Sequence, residues 1–105
     1  MRVKNLFSDI PTSLADEFFE TLAKNSIVNI ERIISYGHTT KDGEWYDQES
    51  DEFVVLLKGE AVLSFKDSDD VRLCAGDSIN ILAHQKHRVA WTKPNEETIW
   101  LAIHY

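Results

Sequence analysis

Gly76-Asp77-Ser78-Ile79-Asn80-Ile81-Leu82-Ala83-His84-Gln85-Lys86-His87-Arg88-Val89-Ala90-Trp91 is the stretch on which the reading of this chain turns. It reads as turn, strand, tight corner, strand. Gly76-Asp77 opens a turn, because glycine takes a positive φ without steric cost and Asp can bond its own backbone. Ile79 and Ile81 alternate with Ser78 and Asn80, the period of a half-buried strand. Beyond the corner, which holds His84, residues His87, Val89 and Trp91 fall on one face of the next strand. An imidazole on an otherwise apolar face is how a β-protein presents a ligand or a proton acceptor to its interior.

The same alternation continues on both sides of this stretch. Ile27–Tyr36 is rich in β-branched residues, with Val28 and Ile30 alternating against Asn29 and Glu31. Trp45–Gln48 reads as a short strand and Glu52–Lys58 as a longer one. Gly59 turns the chain into Glu60–Phe65, and an acidic loop at Asp67–Asp70 leads into Val71–Cys74. His87–Thr92 and Thr98–Tyr105 complete a set of about eight short strands, the pattern of a β-sandwich or barrel. Phe53-Val54-Val55-Leu56-Leu57 is apolar on both faces, so each face needs cover. One face can be the core; the other needs the N-terminal helix, another sheet or a second copy of the chain, and a homodimer is the simplest of these, although the helix alone would also do.

Before the strands, Pro11-Thr12-Ser13 followed by Leu14, Phe18 and Leu22 has an apolar residue at every fourth position, which predicts an amphipathic helix. Thr12 or Ser13 can cap it, and Asp16, Glu17 and Glu20 suit its N-terminal half. The expected organisation is one domain over residues 1–105, with a helical segment at 1–25 and a β-barrel at 26–105.

Composition narrows the function. The chain has 105 residues, 43% apolar, with a net charge of −7, which argues against nucleic-acid backbones and anionic membranes as partners. No window approaches the roughly 20 apolar residues of a membrane span. No apolar leader precedes Asp9, so a cytoplasmic location is the expectation. Cys74 is the only cysteine, which leaves no intramolecular disulfide, and a small half-buried strand residue is its expected role. There is no Gly-rich phosphate loop and no Ser or Cys nucleophile beside a His, so nucleotide folds and hydrolase triads are poorly supported.

Two phrases carry a family resemblance. Glu52 is followed by six residues and Gly59; Gly76 is followed, eleven positions on, by His87. In this order, on predicted strands, they resemble the two motifs of the cupins, small double-stranded β-helix (jelly-roll) proteins. Leu82 stands where that family usually has Pro, and His84 where it usually has Gly. The resemblance implies a mainly β jelly-roll barrel with an interior site. It also implies four ligand positions, which fall here on Tyr46, Gln48, Glu52 and His87. Tyr46 and Gln48 replace the His-x-His pair of metal-binding cupins, so two of the usual ligands are missing.

The candidate pocket is therefore Tyr46, Gln48, Glu52, His87 and Trp91, the last placed there by its shared face with His87. A candidate metal set is Glu52 and His87 with His84 or Gln48, for one divalent Zn, Fe, Mn or Ni ion, since such ions take imidazole and carboxylate. His87 can equally be hydrogen-bonded within the pocket, without any ion. His38 and His104 are read as bystanders. The expected function is a small-molecule or metal pocket, open to a metal-dependent enzyme of unspecified reaction. The alternatives are a metal-free binding or sensing module and a metal-free acid–base isomerase acting on a small polar substrate.

Overall fold

The structure is a computed structural model that describes residues 1–11 and 14–105. It contains eight strands: β1 (Phe18–Lys24), β2 (Asn29–Ser35), β3 (Glu52–Lys58), β4 (Glu60–Phe65), β5 (Ser68–Cys74), β6 (Ser78–Ile81), β7 (His87–Thr92) and β8 (Thr98–His104). They form a five-stranded sheet, in the order β1-β2-β8-β3-β6, and a three-stranded sheet, β5-β4-β7. Every pairing is antiparallel. Val54, Leu56, Ile81 and Trp100 from the larger sheet meet Ala61, Leu63, Phe65, Leu73 and Val89 from the smaller one to make the core.

The chain changes sheet at its tightest turns. Between β3 and β4 only Gly59 intervenes, at φ +92°, and a Cβ there would lie 2.5 Å from Thr98 Oγ1 and 2.9 Å from the Thr98 Cα. Only a residue without a side chain turns the chain at that point. The return from β5 to β6 passes through Gly76, at φ +93°. There Asp77 caps the turn by accepting from Cys74 N at 2.7 Å. These corners explain the spacing of the sequence motifs. Glu52 and Gly59 are the first residue and the exit of one strand, and Gly76 and His87 bracket the following crossing.

Four expectations need correction. There is no helix among the described residues, and so none long and apolar enough to cross a membrane. Phe18–Lys24 is a strand, and the proposed caps Thr12 and Ser13 lie outside the described residues. The cause is Arg32, 1% exposed on the outer face of β2. Pairing with β1 gives β2 a second antiparallel ladder, interrupted only by a bulge at Leu22, and places Glu20 opposite Arg32, with Oε1 2.8 Å from the guanidinium. A short isolated helix is marginal in water and would offer neither. Residues 6–9 then cross over Arg32, whose guanidinium donates to the carbonyls of Leu6, Ser8 and Asp9.

Trp45–Gln48 is not a strand; only Tyr46 pairs, as an isolated bridge to His87. Ser68-Asp69-Asp70, expected in a loop, belongs to β5, at the end of which Cys74 is exposed. In β3, Val54 and Leu56 face the core, whereas Phe53, Val55 and Leu57 face outward beside Leu101 and Ile103. No helix among the described residues covers that outer face.

Candidate functional site

A cavity of about 120 Å³ lies between the sheets at the end where β3 begins and β8 finishes. Its apolar wall includes Ile33, Val54, Leu63, Ile81, Val89 and Trp100. Set into this wall are Tyr46, Gln48, Glu52 and His87, four of the five pocket residues expected from the sequence. Strand parity puts them there: Glu52 is one pleat from Val54 on β3, and His87 one pleat from Val89 on β7. The 46–48 segment is fastened by its backbone. Tyr46 N donates to His87 O at 2.7 Å and His84 N donates to Gln48 O at 2.8 Å.

His87 and Glu52 form the centre of the site. Both are buried, at 5% and 7% exposure, and Nε2 of His87 lies 3.5 Å from Oε1 of Glu52. That is an ionic contact at the outer limit of a hydrogen bond, and Glu52 Oε1 has no hydrogen-bond partner among the described residues. The other ring nitrogen, Nδ1, donates to the Gln85 carbonyl at 2.8 Å, which fixes the ring and directs Nε2 toward the carboxylate. Tyr46 and Phe65 flank the imidazole, with ring centroids at 5.6 and 6.1 Å. Burial alone pushes the imidazole pKa down. The close approach and charge of the Glu52 carboxylate, with the Gln85 carbonyl, together outweigh it, and the net shift is upward from 6.5. Burial, with the charge of Glu17 beside it, pushes the Tyr46 phenol up, so it stays a neutral hydroxyl at neutral pH.

Two expected residues lie elsewhere. Trp91 is 36% exposed and faces away from the cavity. The ladder between β4 and β7 pairs Leu63 with Val89 but Val62 with Trp91, leaving Ala90 as an extra residue. Such a bulge reverses the faces beyond it, so Thr92 rather than Trp91 is buried. His84 occupies the corner at φ +63°, a conformation that favours glycine. Its side chain is 66% exposed and its Nδ1 lies 2.9 Å from Asp47 Oδ1. It is a corner residue turned toward Asp47 and solvent.

The metal expectation fails the same geometric test. Among the described residues no group of three or more His, Cys, Asp or Glu side chains is placed to hold an ion. Glu52 and His87 stand as a pair, His84 points into solvent, and the raised phenol of Tyr46 resists the deprotonation that ligation needs. The donor set does not fit a divalent transition metal.

The cavity also holds residues the sequence reading passed over. Glu31 and His104 line it, with Oε1 2.9 Å from Nε2, and Glu17 stands near Tyr46. Glu17 Oε2 accepts from Ser35 Oγ at 2.6 Å, and Ser35 Oγ accepts from the Trp100 indole at 3.1 Å. Burial raises the Glu17 pKa, against the Ser35 bond and the His38 charge, which lower it. His104 sits on the face of Trp100 and Ala102, so its alternation was a usable signal. His38 remains structural: Nδ1 accepts from Tyr36 N at 2.8 Å and Nε2 is 3.3 Å from the Leu14 carbonyl. A second hollow of about 170 Å³ adjoins the first across Glu17, Phe19 and Tyr46.

Comparison with known proteins agrees with this architecture. A crystal structure of a "putative mannose-6-phosphate isomerase" from Ralstonia eutropha JMP134 shares 40% identity, covers 99% of this chain and 97% of its own, and superposes with a TM-score of 0.93. A cupin superfamily protein from Desulfitobacterium hafniense DCB-2 shares 23% identity over 99% and 97% of the two chains, with a TM-score of 0.76. An RmlC-like cupin with a double-stranded β-helix fold, from Methanocaldococcus jannaschii, shares 15% identity over 91% and 85%, at 0.70. At so low an identity the last two speak for the fold alone. No curated protein sequence matches the chain. The sequence profile of the cupin domain matches residues 34–104, which include both motifs, the Glu52–His87 pair and strands β3 to β8 in full. The chain belongs to the cupin family.

Proposed function

We propose that this cupin binds a small, uncharged, polar molecule in the cavity between its sheets and performs metal-independent acid–base chemistry of the isomerase kind on it. The observation that carries this reading is the buried His87–Glu52 pair lining the cavity, with no hydrogen-bond partner at Glu52 Oε1 among the described residues. The raised imidazole supplies a proton near neutral pH, and the carboxylate beside it supplies a site to receive one. Buried polar atoms without partners are rare, and a ligand hydroxyl, which donates, would satisfy this one.

Charge selects the ligand class. Glu17, Glu31 and Glu52 line the cavity, with no Lys or Arg among its described lining residues. A phosphate or carboxylate ligand would meet like charge in a low dielectric. The Ralstonia protein's name speaks of a sugar-phosphate isomerase. That supports the reaction class here, whereas the acidic cavity argues for the unphosphorylated form. Size is a further guide. A cavity of about 150 Å³ encloses benzene, so about 120 Å³ admits some six heavy atoms, or the carbonyl end of a longer chain. As partner we propose a second copy of this chain, packed on the outward Phe53–Val55–Leu57 face; light scattering reads its mass.

The test is two-dimensional NMR of the Trp100 indole and His87 ring during titration with dihydroxyacetone, D-mannose and their phosphate esters. Neutral probes should move both signals, the esters should not, and Glu52→Gln should weaken binding about tenfold, the worth of one good hydrogen bond. Tighter binding of the esters in this cavity would overturn the reading.

A further inference from the structure

The cavity presents a second carboxylate–imidazole pair. Glu31 on β2 and His104 on β8 approach to 2.9 Å, their side chains 17% and 16% exposed. Glu52 and His104 are direct register partners on β3 and β8, so both side chains rise from the same face of the sheet, about 5 Å apart at Cβ. Glu31 with His104 and Glu52 with His87 thus line one cavity as two carboxylate–imidazole pairs, drawn from four different strands. Gathering several titratable groups in an apolar cavity with no Lys or Arg is costly for the fold. A pocket built only to hold a neutral ligand needs one such pair, not two.

The two imidazoles are held differently. In His87 the Gln85 carbonyl takes the Nδ1 proton, and Nε2 carries the exchangeable proton beside Glu52. In His104 the carboxylate of Glu31 faces Nε2. A carboxylate accepts, so the neutral ring keeps its proton on Nε2 and its lone pair on Nδ1. Both rings line the same small space.

We propose that Glu31–His104 is the second acid–base pair of this site and that the ligand is a small, uncharged α-hydroxycarbonyl compound, a short sugar or the open end of one. This rests on the reading above and adds the reaction. Nδ1 of His104 takes the proton from the carbon bearing the hydroxyl, and the C–H electron pair forms a C=C bond. The carbonyl π pair takes the Nε2 proton of the His87 imidazolium, which leaves a neutral enediol. The second half reverses the roles at the neighbouring carbon. The other hydroxyl returns its proton to His87, a carbonyl forms there, and His104 returns its proton to the carbon that first carried the carbonyl. The carbonyl has moved one position, no net oxidation has occurred, and no co-reactant is consumed. Glu31 is a positioning residue, since it acts through His104.

The experiment follows dihydroxyacetone in D2O by proton NMR, reading both carbon-bound deuterium incorporation and glyceraldehyde formation. It compares the wild type with His104→Gln, Glu31→Gln and Glu52→Gln, with a thermal melt of each. The expected result is exchange by the wild type and a loss of at least about 100-fold in His104→Gln with probe binding unchanged, the usual scale of general acid–base catalysis. Glu31→Gln should lose about tenfold while the 15N spectrum of the His104 ring shows its proton redistributed between the two nitrogens. That signature needs no activity, and it covers the case in which His104→Gln fails to fold. Undiminished exchange in folded His104→Gln, or an unchanged ring tautomer in Glu31→Gln, overturns the second pair and leaves the His87–Glu52 reading intact. Probe binding without exchange above buffer overturns the reaction for both pairs. Absence of probe binding overturns the parent reading and this inference with it.

Discussion

Glu52→Gln is the most direct test of the buried pair, because it keeps the side chain's shape and removes only its charge. At 3.5 Å and an effective dielectric constant near 20, the gross attraction between imidazolium and carboxylate is about 5 kcal/mol. Taking both groups out of water offsets much of that. The variant should therefore lose about 1–3 kcal/mol at pH 6. The pH dependence has a definite sign. The folded pKa of His87 is raised above 6.5, so the stability it contributes is fully present below about 6.5 and is lost as pH rises through the folded value. In the variant both contributions of Glu52 vanish, and burial, which lowers the pKa, is opposed only by the Gln85 carbonyl. The gap between wild type and variant should thus narrow from pH 6 to pH 9. Urea denaturation at the two pH values reads it as a midpoint shift of about 1 M at pH 6, with an unchanged slope. NMR titration of the His87 ring supplies the second reading, with its midpoint moving down in the variant. An equal gap at both pH values, or an unmoved midpoint, would show that the two residues do not interact electrostatically.

Other consequences are simpler. Glu17→Gln should gain up to about 1 kcal/mol at pH 7, because burial raises the folded carboxyl and the cost of ionising it appears as pH climbs past 4.5; the gain should vanish below that pH in the same urea assay. Gly59→Ala should cost about 2–4 kcal/mol, combining a strained positive φ with a collision against the Thr98 backbone, and a melting temperature within a degree of wild type would contradict the corner geometry. His84→Gly should change stability by less than about 1 kcal/mol, since relief at φ +63° offsets a more flexible unfolded chain. It should also leave probe binding at the cavity untouched, and weakened binding would return His84 to the site.

The fold was legible where local pattern and turn chemistry agree. Glu52 to Gly59 and Gly76 to His87 mark strands that end at sheet crossings, and the alternation within them needs no tertiary information. Residues 14–25 were not legible. Leu14, Phe18 and Leu22 suit a helix, while the deciding factor, a buried Arg32 in need of a carboxylate, sits on a neighbouring strand. Trp91 was misplaced because a bulge at Ala90 is one extra residue that no alternation rule can see. Glu31 and His104 failed for another reason. Their spacing was visible, but β2 and β8 carry apolar residues on both faces, so pattern alone could not tell inside from outside. Residues 6–9, lying over Arg32, remove that asymmetry by covering part of the outer face.

The position of β8 sets the order in which this protein can be assembled. It is the last of the eight strands in sequence, yet it lies at the middle of the larger sheet, between β2 and β3. As the chain is synthesised, β2 and β3 therefore wait as unpaired edges until β8 arrives to join them. The smaller sheet has no such delay, because β4, β5 and β7 are all made earlier. Formation of the larger sheet and delivery of His104 beside Glu52 are then one event, and packing of the smaller sheet, which carries His87, completes the site. Such late, long-range closure is slow compared with local pairing. It also makes β8 the strand whose weakening would leave exposed edges open to other chains during synthesis.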